Sequence, residues 1–464
     1  MRFLTSTVVL LSLASRAWSL TLSLDGKLIV DQLLHLATFS DEPNPAVTRV
    51  LFTENDLKGR AYIKKLMKEA GLAIREDTIG NIYGRLEGSE PGAPAVLTGS
   101  HIDAIPLAGA YDGTTGVVGG IAALKALKEA GFVPQKPLEV MAFTSEEPTR
   151  FGLSCSGSRA MAGVLDGAFL DSKRDENGTS YLDAARAAGY GADSYDAMLK
   201  GARRTPEDLA FFVELHIEQG RDCITVLGPL LEKEDKQIGI VTAIAAPAAL
   251  RVRFSGDGGH AGALLMPYRN DAGLAAAELA LFVEKTVLAT GAIDTVGTTG
   301  RWEVAPNAVN SVPREAILEI DIRDIDGTRR DSVVEAVRNE AQAVAERRKV
   351  RLSFEIINQD PPATCGGEVV GAVEAAVGEL GLSSKHMVSR AYHDSLFMAQ
   401  ASAFGLIAPT GMIFIPCRNG WSHRPDEYAS PEDIERGVRV LALTMARLAG
   451  GSMPSSSAEQ HAEL

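Results

Sequence analysis

The sequence predicts an α/β fold in which a domain with a parallel sheet is interrupted by a second, smaller domain. In the first half, three short apolar runs bounded by turn residues are typical of strands buried on both faces of a sheet, at 95–98, 138–144 and 209–215. In the region 250–356 apolar and polar residues alternate instead. This alternation is typical of half-exposed antiparallel strands and indicates a domain of a different kind.

Strands and helices alternate in the first domain. Residues 116–129 have Ala and Leu at helical spacing, Lys on the opposite face and Gly131 just after the end, which predicts a helix between the first two strands. A helix at 368–380 and a buried strand at 412–415 follow the alternating region. The first domain therefore resumes after the insertion and includes the carboxyl end of the chain.

The alternating region has the element order β-α-β-β-α-β, which is the order of ferredoxin-like domains. Its predicted strands are 250–254, 295–304, 318–322 and 352–356, and its predicted helices are 271–288 and 328–348. We therefore expect an inserted domain at 242–356 that divides the larger domain into the segments 25–241 and 357–450.

Composition excludes several classes of protein. The chain has 464 residues, with 46 Lys and Arg against 60 Asp and Glu, and its net charge is −14. A chain so acidic, with no dense stripe of basic residues, is not expected to bind nucleic acid. The four cysteines include no C-x-x-C pair, which excludes a thiolate zinc site and a dense disulfide scaffold. No segment after the amino terminus approaches 18 uninterrupted apolar residues, so we expect no membrane span.

Both ends of the chain predict targeting signals. Residues 1–24 contain no acidic residue, run mostly apolar from 3 to 14 and offer a small-x-small cleavage site at 17–19, which predicts a signal peptide at 1–19. The last four residues, 461–464, are similar to the His-Asp-Glu-Leu retention signal. We expect the endoplasmic reticulum or secretory lumen, with an organellar transit peptide as the alternative, and a disordered polar tail at 451–464.

Residues suited to metal chemistry follow the predicted parallel strands, at the edge where such sheets bind ligands. They are three histidines and several carboxylates: His101 and Asp103, Asp112, Glu146 and Glu147, His216 and Glu218, and His423. Each alone is most often a solvated surface residue, but unrelated surface residues have no reason to follow one buried strand after another. Imidazole and carboxylate ligands without thiolate suit Zn²⁺ or Mn²⁺, and two such ions can share a bridging carboxylate.

The adjacent carboxylates Glu146 and Glu147 suggest a division of roles. The side chains of neighbouring residues at a strand end diverge, so one can bind a metal ion while the other takes a proton from an activated water. The dipeptide alone leaves open which residue has which role.

Six segments, in this order along residues 25–448, resemble the two-metal amidohydrolase branch of the aminoacylase and carboxypeptidase-like superfamily. They are TGSHIDAIP at 98–106, TSEEPTRFG at 144–152, HIEQG at 216–220, GGHAG at 258–262, YHDS at 392–395 and SH at 422–423. The branch includes allantoate amidohydrolases, N-carbamoyl-amino-acid hydrolases and ureidoglycolate amidohydrolases. Four segments are most similar to the plant-type ureidoglycolate amidohydrolases: 104–106, 266–271, 358–362 and 412–417.

The resemblance implies a two-metal aminopeptidase and carboxypeptidase-like catalytic domain, with the inserted domain acting as a lid and as the dimerisation domain of a homodimer. It implies two divalent metal ions per subunit, typically Mn²⁺, with Asp112 as the bridge and Glu146 as the general base. The other implied metal ligands are His101 and His216 for one ion, and Glu147 and His423 for the second. The residues implied around the substrate are Gln219, His260, Asn310, Arg323, Tyr392 and His393.

Two of these implied roles have alternatives in the sequence itself. Arg323 offers a bidentate fork for a substrate carboxylate, but it could equally pair with Asp321 or Asp324 on the surface. His260 could stabilise a tetrahedral oxyanion and reach the partner subunit's site, whereas its glycine-rich surroundings are also typical of a simple turn.

The implied activity is the cleavage of (S)-ureidoglycolate to glyoxylate, carbon dioxide and ammonia, a step of ureide and purine catabolism. Allantoate or an N-carbamoyl-L-amino acid is the alternative substrate, and a non-catalytic dimeric binding protein is the alternative of another class. Two stretches depart from the family pattern, the extra residues 221–228 and the long segment 400–411. The first follows His216 and Gln219 directly, and we expect it to loop outward.

Overall fold

The computed structural model describes residues 21–220, 229–403, 405 and 407–452. Its strands are, in chain order, β1 (Val47–Arg49), β2 (Ala73–Glu76), β3 (Ile82–Leu86), β4 (Ala95–His101), β5 (Ala104–Ala108), β6 (Val133–Pro134), β7 (Leu138–Phe143), β8 (Leu209–Ile217), β9 (Ile238–Ile244), β10 (Ala246–Ser255), β11 (Gly259–His260), β12 (Val296–Ala305), β13 (Ser311–Val312), β14 (Glu315–Asp324), β15 (Arg351–Gln359), β16 (Ala363–Thr364), β17 (Ser384–Ser389), β18 (Thr410–Ile415) and β19 (Gly451–Ser452).

The helices of the described residues are α1 (Gly26–Ala37), α2 (Glu54–Glu69), α3 (Thr114–Glu129), α4 (Ser156–Ala162), α5 (Gly167–Asp171), α6 (Tyr181–Ala187), α7 (Tyr195–Ala202), α8 (Leu230–Lys233), α9 (Ala272–Ala289), α10 (Gly327–Arg348), α11 (Gly367–Glu379), α12 (Asp394–Ala403) and α13 (Pro431–Ala449). Several begin at a side chain that accepts a hydrogen bond from a free backbone N–H of the first turn, such as Asp25, Asp271, Asp326 and Ser430.

The central sheet has the strand order β16-β9-β18-β8-β4-β7-β3-β2, and β17 also pairs with β9. Its middle strands β18, β8, β4 and β7 are parallel to one another. Every residue of β4 and β7 is buried, because helices cover both faces of the sheet. The prediction of an α/β fold with buried parallel strands at 95–98, 138–144 and 209–215 is therefore confirmed.

Glycines bring α3 unusually close to the sheet. A Cβ atom at Gly116 would lie 2.4 Å from the carbonyl oxygen of Leu215 on β8 and 2.7 Å from the Cβ of Ser100 on β4. The first turn of α3 is therefore packed directly on the carboxyl-terminal ends of the two central strands.

The region 246–359 forms a second sheet, with the order β12-β14-β10-β15 and all neighbours antiparallel. The helices α9 and α10 pack on one face of this sheet, and alternate residues such as Leu250, Val252 and Phe254 are buried beneath them. The strand order and the β-α-β-β-α-β sequence of elements are those of a ferredoxin-like domain.

The chain crosses between the two sheets at Ala245 and after Gln359, a few residues beyond the expected bounds of 242 and 356. Arg330 of α10 donates hydrogen bonds to a carbonyl oxygen on each crossing segment, those of Ala246 and Asp360. This buried guanidinium therefore ties the two connections of the insertion together.

The structure describes only a small part of the segments predicted at the two ends of the chain. Gly451 and Ser452 pair with β6, so the first two residues of the expected disordered tail belong to a strand. The expected signal peptide at 1–19 and the residues 461–464 lie outside the described residues. Among the helices that the structure describes, none combines the length and apolar character needed to cross a bilayer.

Candidate metal centre

The candidate ligands meet at one edge of the central sheet because the strands that precede them are parallel neighbours. His101 and His216 lie at the ends of β4 and β8. Glu147 lies in the loop after β7, and Asp112 lies in the turn just before α3. His423 lies in the loop after β18. The carboxyl ends of adjacent parallel strands point to the same side, so residues far apart in sequence become neighbours.

The first group of ligand-type atoms is formed by His101, Asp112 and His216, which are all buried. Asp112 Oδ1 lies 3.1 Å from Nε2 of His216 and 3.7 Å from Nε2 of His101. Ligand atoms of the three residues lie within 4.8 Å of one another, which is close enough to surround a single ion.

The second group is formed by Asp112, Glu147 and His423. Nε2 of His423 lies 3.1 Å from Asp112 Oδ2 and 3.4 Å from Glu147 Oε1. The His423 side chain is 48% exposed, so this group faces the solvent side of the cluster. Asp112 thus offers Oδ1 to one group and Oδ2 to the other, which is the arrangement of a carboxylate that bridges two metal ions.

The residues present fit a pair of divalent metal ions. Nδ1 of His101 lies 3.0 Å from the carbonyl oxygen of Asp103, and Nδ1 of His216 lies 2.9 Å from that of Ile217. A carbonyl partner at Nδ1 holds the proton there and makes Nε2 the nitrogen that can accept a metal ion, as in metal-bound histidines. Three imidazoles and two carboxylates are a ligand set that Zn²⁺, Mn²⁺ and similar ions accept.

Electrostatics in this cluster follow from burial and from the carboxylate of Asp112. A hydrogen bond with Asp112 raises the pKa of His423 to about 9. Burial, and then the charge of Asp112, raise the pKa of Glu147 to about 7. The protein without metal therefore holds protons that metal binding must displace.

Glu146 is buried beside the first group, and its Oε2 lies 3.9 Å from Nε2 of His101. The Cys155 thiol points at its other oxygen, with Sγ 3.6 Å from Oε1. Burial raises the pKa of Glu146 well above its usual range. The backbone N–H groups of Glu146 and Glu147 both donate to the carboxylate of Asp103, at 3.2 and 3.0 Å, so the two neighbouring acids are held in fixed positions.

Of the predicted substrate residues, Gln219 and His393 lie at the cluster. Gln219 Nε2 donates to Asp112 Oδ2 and to Ser422 Oγ, both at 2.8 Å. The buried ring of His393 packs edge-on against His216, with ring centroids 4.6 Å apart. Burial, and then the neighbouring His216, lower the pKa of His393 well below its usual range, so its imidazole is neutral.

Tyr392 is held by a hydrogen-bond network rather than pointing free into the cleft. Its hydroxyl oxygen accepts from Arg159 Nη2 at 2.9 Å and from Asn358 Nδ2 at 3.2 Å, and its proton is donated to Asp360. Both lone pairs and the proton of the hydroxyl are therefore engaged in this conformation.

The predicted substrate residues of the inserted domain lie apart from the cluster. His260 at the end of β11 and Asn310 just before β13 are both exposed, and His260 Nδ1 accepts from the backbone N–H groups of Gly262 and Ala263. Arg323 pairs with Asp321, with Nε 2.8 Å from Oδ1, which is one of the surface pairings that the sequence left open. Among the described residues, none of these three contacts a candidate metal ligand.

A layer of polar residues behind the ligands was not anticipated from the sequence. Glu214 is fully buried on β8, where it accepts hydrogen bonds from Ser100 Oγ at 2.7 Å and from Ser395 Oγ at 2.6 Å. Ser422 donates to Asp112 Oδ2 at 2.8 Å. The signal was slight: Ser100 and Ser422 each precede a ligand histidine, but a serine beside a histidine is common in sequences.

The extra residues 221–228 lie outside the described part of the chain, but their flanks are firmly held. The N–H of Gly220 donates to the carbonyl of Gly420 at 3.0 Å. The carboxylate of Glu218 accepts from the N–H groups of Leu230 and Leu231, at 2.8 and 3.0 Å. His216 and Gln219 keep their contacts with Asp112, so the segments on either side of the insertion are in register with the cluster.

Comparison with known proteins defines the class to which this fold and cluster belong. Residues 97–447 match the Peptidase family M20/M25/M40, and the chain belongs to this family. The prediction of a hydrolase of the two-metal amidohydrolase type, acting on C–N bonds, is confirmed.

Two plant enzymes are among the relatives of this chain. It is 54% identical to a ureidoglycolate hydrolase of Arabidopsis thaliana over 92% of the chain and 87% of that protein. It is 56% identical to a ureidoglycolate hydrolase of Oryza sativa subsp. japonica over 90% of the chain and 83% of that protein. A crystal structure of AtUAH in complex with (S)-hydroxyglycine is 53% identical, with a TM-score of 0.81, over 92% of this chain and 98% of that chain.

Proposed function

We propose that the protein hydrolyses (S)-ureidoglycolate. The observation that carries the proposal is the double cluster in which Asp112 serves two groups of ligands with Glu146 beside them. The choice of substrate is supported by the similarity to two ureidoglycolate hydrolases and to a structure in complex with (S)-hydroxyglycine. Hydrolysis of the ureido group consumes one water and yields carbon dioxide, ammonia and hydroxyglycine, which loses a second ammonia to give glyoxylate.

Each ligand residue receives a role in this proposal. His101, Asp112 and His216 would hold one divalent ion, and Asp112, Glu147 and His423 would hold the second. When bound, the two ions polarise the ureido carbonyl and lower the pKa of the attacking water. Glu146 takes a proton from that water and passes it to the leaving nitrogen. We propose Mn²⁺ as the native metal because carboxylates supply part of the ligand set.

The substrate carboxylate is proposed to bind residues of the inserted domain. Arg323, Asn310 and His260 lie on this domain and are exposed or only partly buried. They reach a substrate only if the domain closes or if a second subunit brings its own copy to the cleft. We propose that His260 reaches the partner subunit's site in a homodimer, where it stabilises the oxyanion.

The proposed compartment is the endoplasmic reticulum or secretory lumen, supported by the sequence of residues 1–19 and 461–464. A fluorescent fusion should enter the secretory pathway with residues 1–19 and stay in the cytosol without them. Entry into another organelle would instead support the transit-peptide alternative.

The activity is tested on the purified protein by measuring ammonia release with Mn²⁺ from ureidoglycolate, allantoate and an N-carbamoyl-L-amino acid. We expect the highest kcat/KM for ureidoglycolate, and an equal or higher value for another compound would reject the proposed substrate. Glu146→Gln should reduce kcat by about 10²-fold or more while both metal ions stay bound, because it removes only the proton acceptor.

Glu147→Gln is the matched control, since it changes the neighbouring carboxylate in the same way. It should lose metal, because an amide is a poorer ligand than a carboxylate. If both variants lost metal equally, Glu146 would be a ligand rather than the base. If Glu146→Gln kept full activity, the proposed role of this residue would be wrong.

A further inference from the structure

We propose that Glu427 is a positioning residue that fixes Asp112 relative to His423 and thereby prepares the centre for metal. The inference rests on the ligand assignment in the proposed function. Glu427 is buried, with 4% of its surface exposed. Its Oε1 accepts hydrogen bonds from two consecutive backbone N–H groups, that of Tyr111 at 2.7 Å and that of Asp112 at 2.9 Å.

Glu427 joins two loops that are far apart in sequence and that each carry a proposed ligand. It lies in the same loop as His423, where its own N–H donates to the carbonyl of Arg424 at 3.1 Å and closes a turn. Its side chain reaches the turn before α3 that carries Asp112. From the same loop, Ser422 Oγ donates to Asp112 Oδ2 at 2.8 Å. One loop therefore holds both the backbone and the side chain of the bridging residue.

The turn that carries Asp112 is shaped to receive this side chain. A Cβ atom at Gly109 would lie 2.4 Å from Glu427 Cβ and 2.6 Å from its Oε1, so only glycine leaves room there. The second oxygen, Oε2, is buried and has no hydrogen-bond partner among the described residues. The hydrogen bonds to the turn thus use one oxygen atom, and the amide oxygen of glutamine could make the same two bonds.

Loss of this side chain would leave two buried backbone N–H groups without an acceptor beside the bridging ligand. Buried N–H groups are rarely left unpaired, so the turn would rearrange until they found partners. Such a rearrangement would move Asp112 away from His423. Loss of outer-shell partners commonly weakens metal affinity by about 10- to 100-fold, and we expect a loss in this range for Glu427→Ala.

The test compares four variants. Glu427→Ala removes the acceptor, Glu427→Asp keeps the charge but shortens the reach by one methylene, and Glu427→Gln keeps the reach but removes the charge. Asp324→Ala is the matched control, because Asp324 is also a fully buried carboxylate that accepts from a backbone N–H, that of Asp326 at 2.9 Å, but it lies in the inserted domain away from the proposed ligands.

The first measurement is hydrogen–deuterium exchange of the metal-free protein, followed in peptides that cover 109–114. Exchange should be faster in Glu427→Ala and Glu427→Asp, and it should match the wild type in Glu427→Gln and Asp324→Ala. The second measurement is Mn²⁺ affinity by competition with a chelating dye, which should fall in the first two variants and stay within about threefold of the wild type in the others.

Unchanged exchange at 109–114 in Glu427→Ala and Glu427→Asp would overturn the proposal, and so would faster exchange with unchanged Mn²⁺ affinity. Equal loss of affinity in Glu427→Gln would show that charge rather than position is required, which also overturns it. A wild-type protein that binds no Mn²⁺ would overturn the ligand assignment itself. The exchange measurement needs neither metal nor substrate. It therefore distinguishes failure of the proposed positioning role of Glu427 from failure of the proposed function.

Discussion

Asp112 organises the cluster at the scale of single residues. Its two oxygens each lie 3.1 Å from an imidazole nitrogen, Oδ1 from His216 and Oδ2 from His423. Gln219 and Ser422 donate to Oδ2 as well, so both oxygens of the carboxylate have hydrogen-bonding partners. A buried carboxylate in such surroundings stays ionised, which suits a ligand shared by two cations.

The raised pKa of His423 predicts that metal binding releases protons from the protein. Because the pKa of His423 is raised to about 9, its imidazole is protonated in the metal-free protein at pH 7.5. A metal ion binds only the neutral imidazole, so binding should release at least one proton per subunit, and affinity should rise with pH up to about 9 by about tenfold per unit for each proton.

Calorimetric titration of metal into the protein in two buffers of different ionisation enthalpy measures this release. The apparent binding enthalpy should differ between the buffers in proportion to the protons released. His386→Ala is the control, since His386 is exposed and pairs with Glu374 at 2.7 Å away from the cluster, and it should leave the proton count unchanged. An apparent enthalpy that is the same in both buffers would contradict the prediction.

Among the helices and strands, α3 connects the packing on the central sheet to the geometry of the candidate metal centre. It begins at Thr114, two residues after Asp112, and its first turn lies on Ser100 and Leu215, which directly precede His101 and His216. Three of the proposed ligands therefore depend on how closely one helix approaches two strands.

Gly116→Ala should consequently destabilise the protein and weaken metal binding together. The added Cβ would meet the carbonyl oxygen of Leu215 at 2.4 Å, which cannot move aside without shifting β8. We expect a loss of about 1–3 kcal/mol in the free energy of unfolding, as is typical of overpacking in a close-packed interior, and a lower affinity for Mn²⁺.

Gly371→Ala is the matched control, because α11 leaves this position open, with no described atom within 4 Å of a new Cβ. Alanine restricts the unfolded chain more than glycine, so this variant should gain about 0.5–1 kcal/mol. Urea denaturation of the metal-free variants measures both changes. Equal stability of Gly116→Ala and the wild type would contradict the prediction, because it would show that α3 can move away from the sheet without loss of stability.

The sequence predicts those elements and ligands that are marked by a pattern of neighbouring residues. The apolar runs before His101, Glu147 and His216 predicted buried strands, and the edge rule for parallel sheets then brought these residues together. The contact of Glu427 with Asp112 could not be predicted, because it joins residues 315 apart and follows no periodic pattern. The partner of Arg323 was undecided for a different reason, since Asp321 and Asp324 stand on either side of it and the sequence does not distinguish between two nearby acids.

At the scale of the whole molecule, the chain crosses between the two sheets twice, and Arg330 donates to a carbonyl oxygen on each crossing segment. The candidate centre lies entirely in the larger domain, whereas three of the predicted substrate residues lie on the inserted domain. The separation has a physical consequence for the proposal: the ligand cluster can form within one domain, but a substrate held by Arg323, Asn310 and His260 would have to bridge two.

The proposed homodimer is the means by which a second copy could supply the missing contacts. The outer side of the inserted domain carries large exposed apolar residues on α9 and β12, with Leu281 69%, Leu288 74% and Trp302 49% exposed. In the described sheet β12 pairs only with β14, so one edge of this strand offers free N–H and C=O groups. A long exposed strand edge beside apolar side chains favours pairing with another strand. The simplest partner for the edge of β12 is the same edge of a second copy of the chain.

We therefore expect a dimer when the mass of the native protein is measured by light scattering. The double variant Leu281→Glu and Trp302→Glu should be monomeric, because it places four charges in the interface of the dimer. It should keep Mn²⁺ affinity, since all proposed ligands lie in the larger domain, but lose activity if His260 acts in the partner subunit's site. Leu107→Glu, at a leucine that is 52% exposed on the larger domain, is the control and should stay dimeric and active. A monomeric wild type, or a monomeric variant with full activity, would show that each subunit completes its own site.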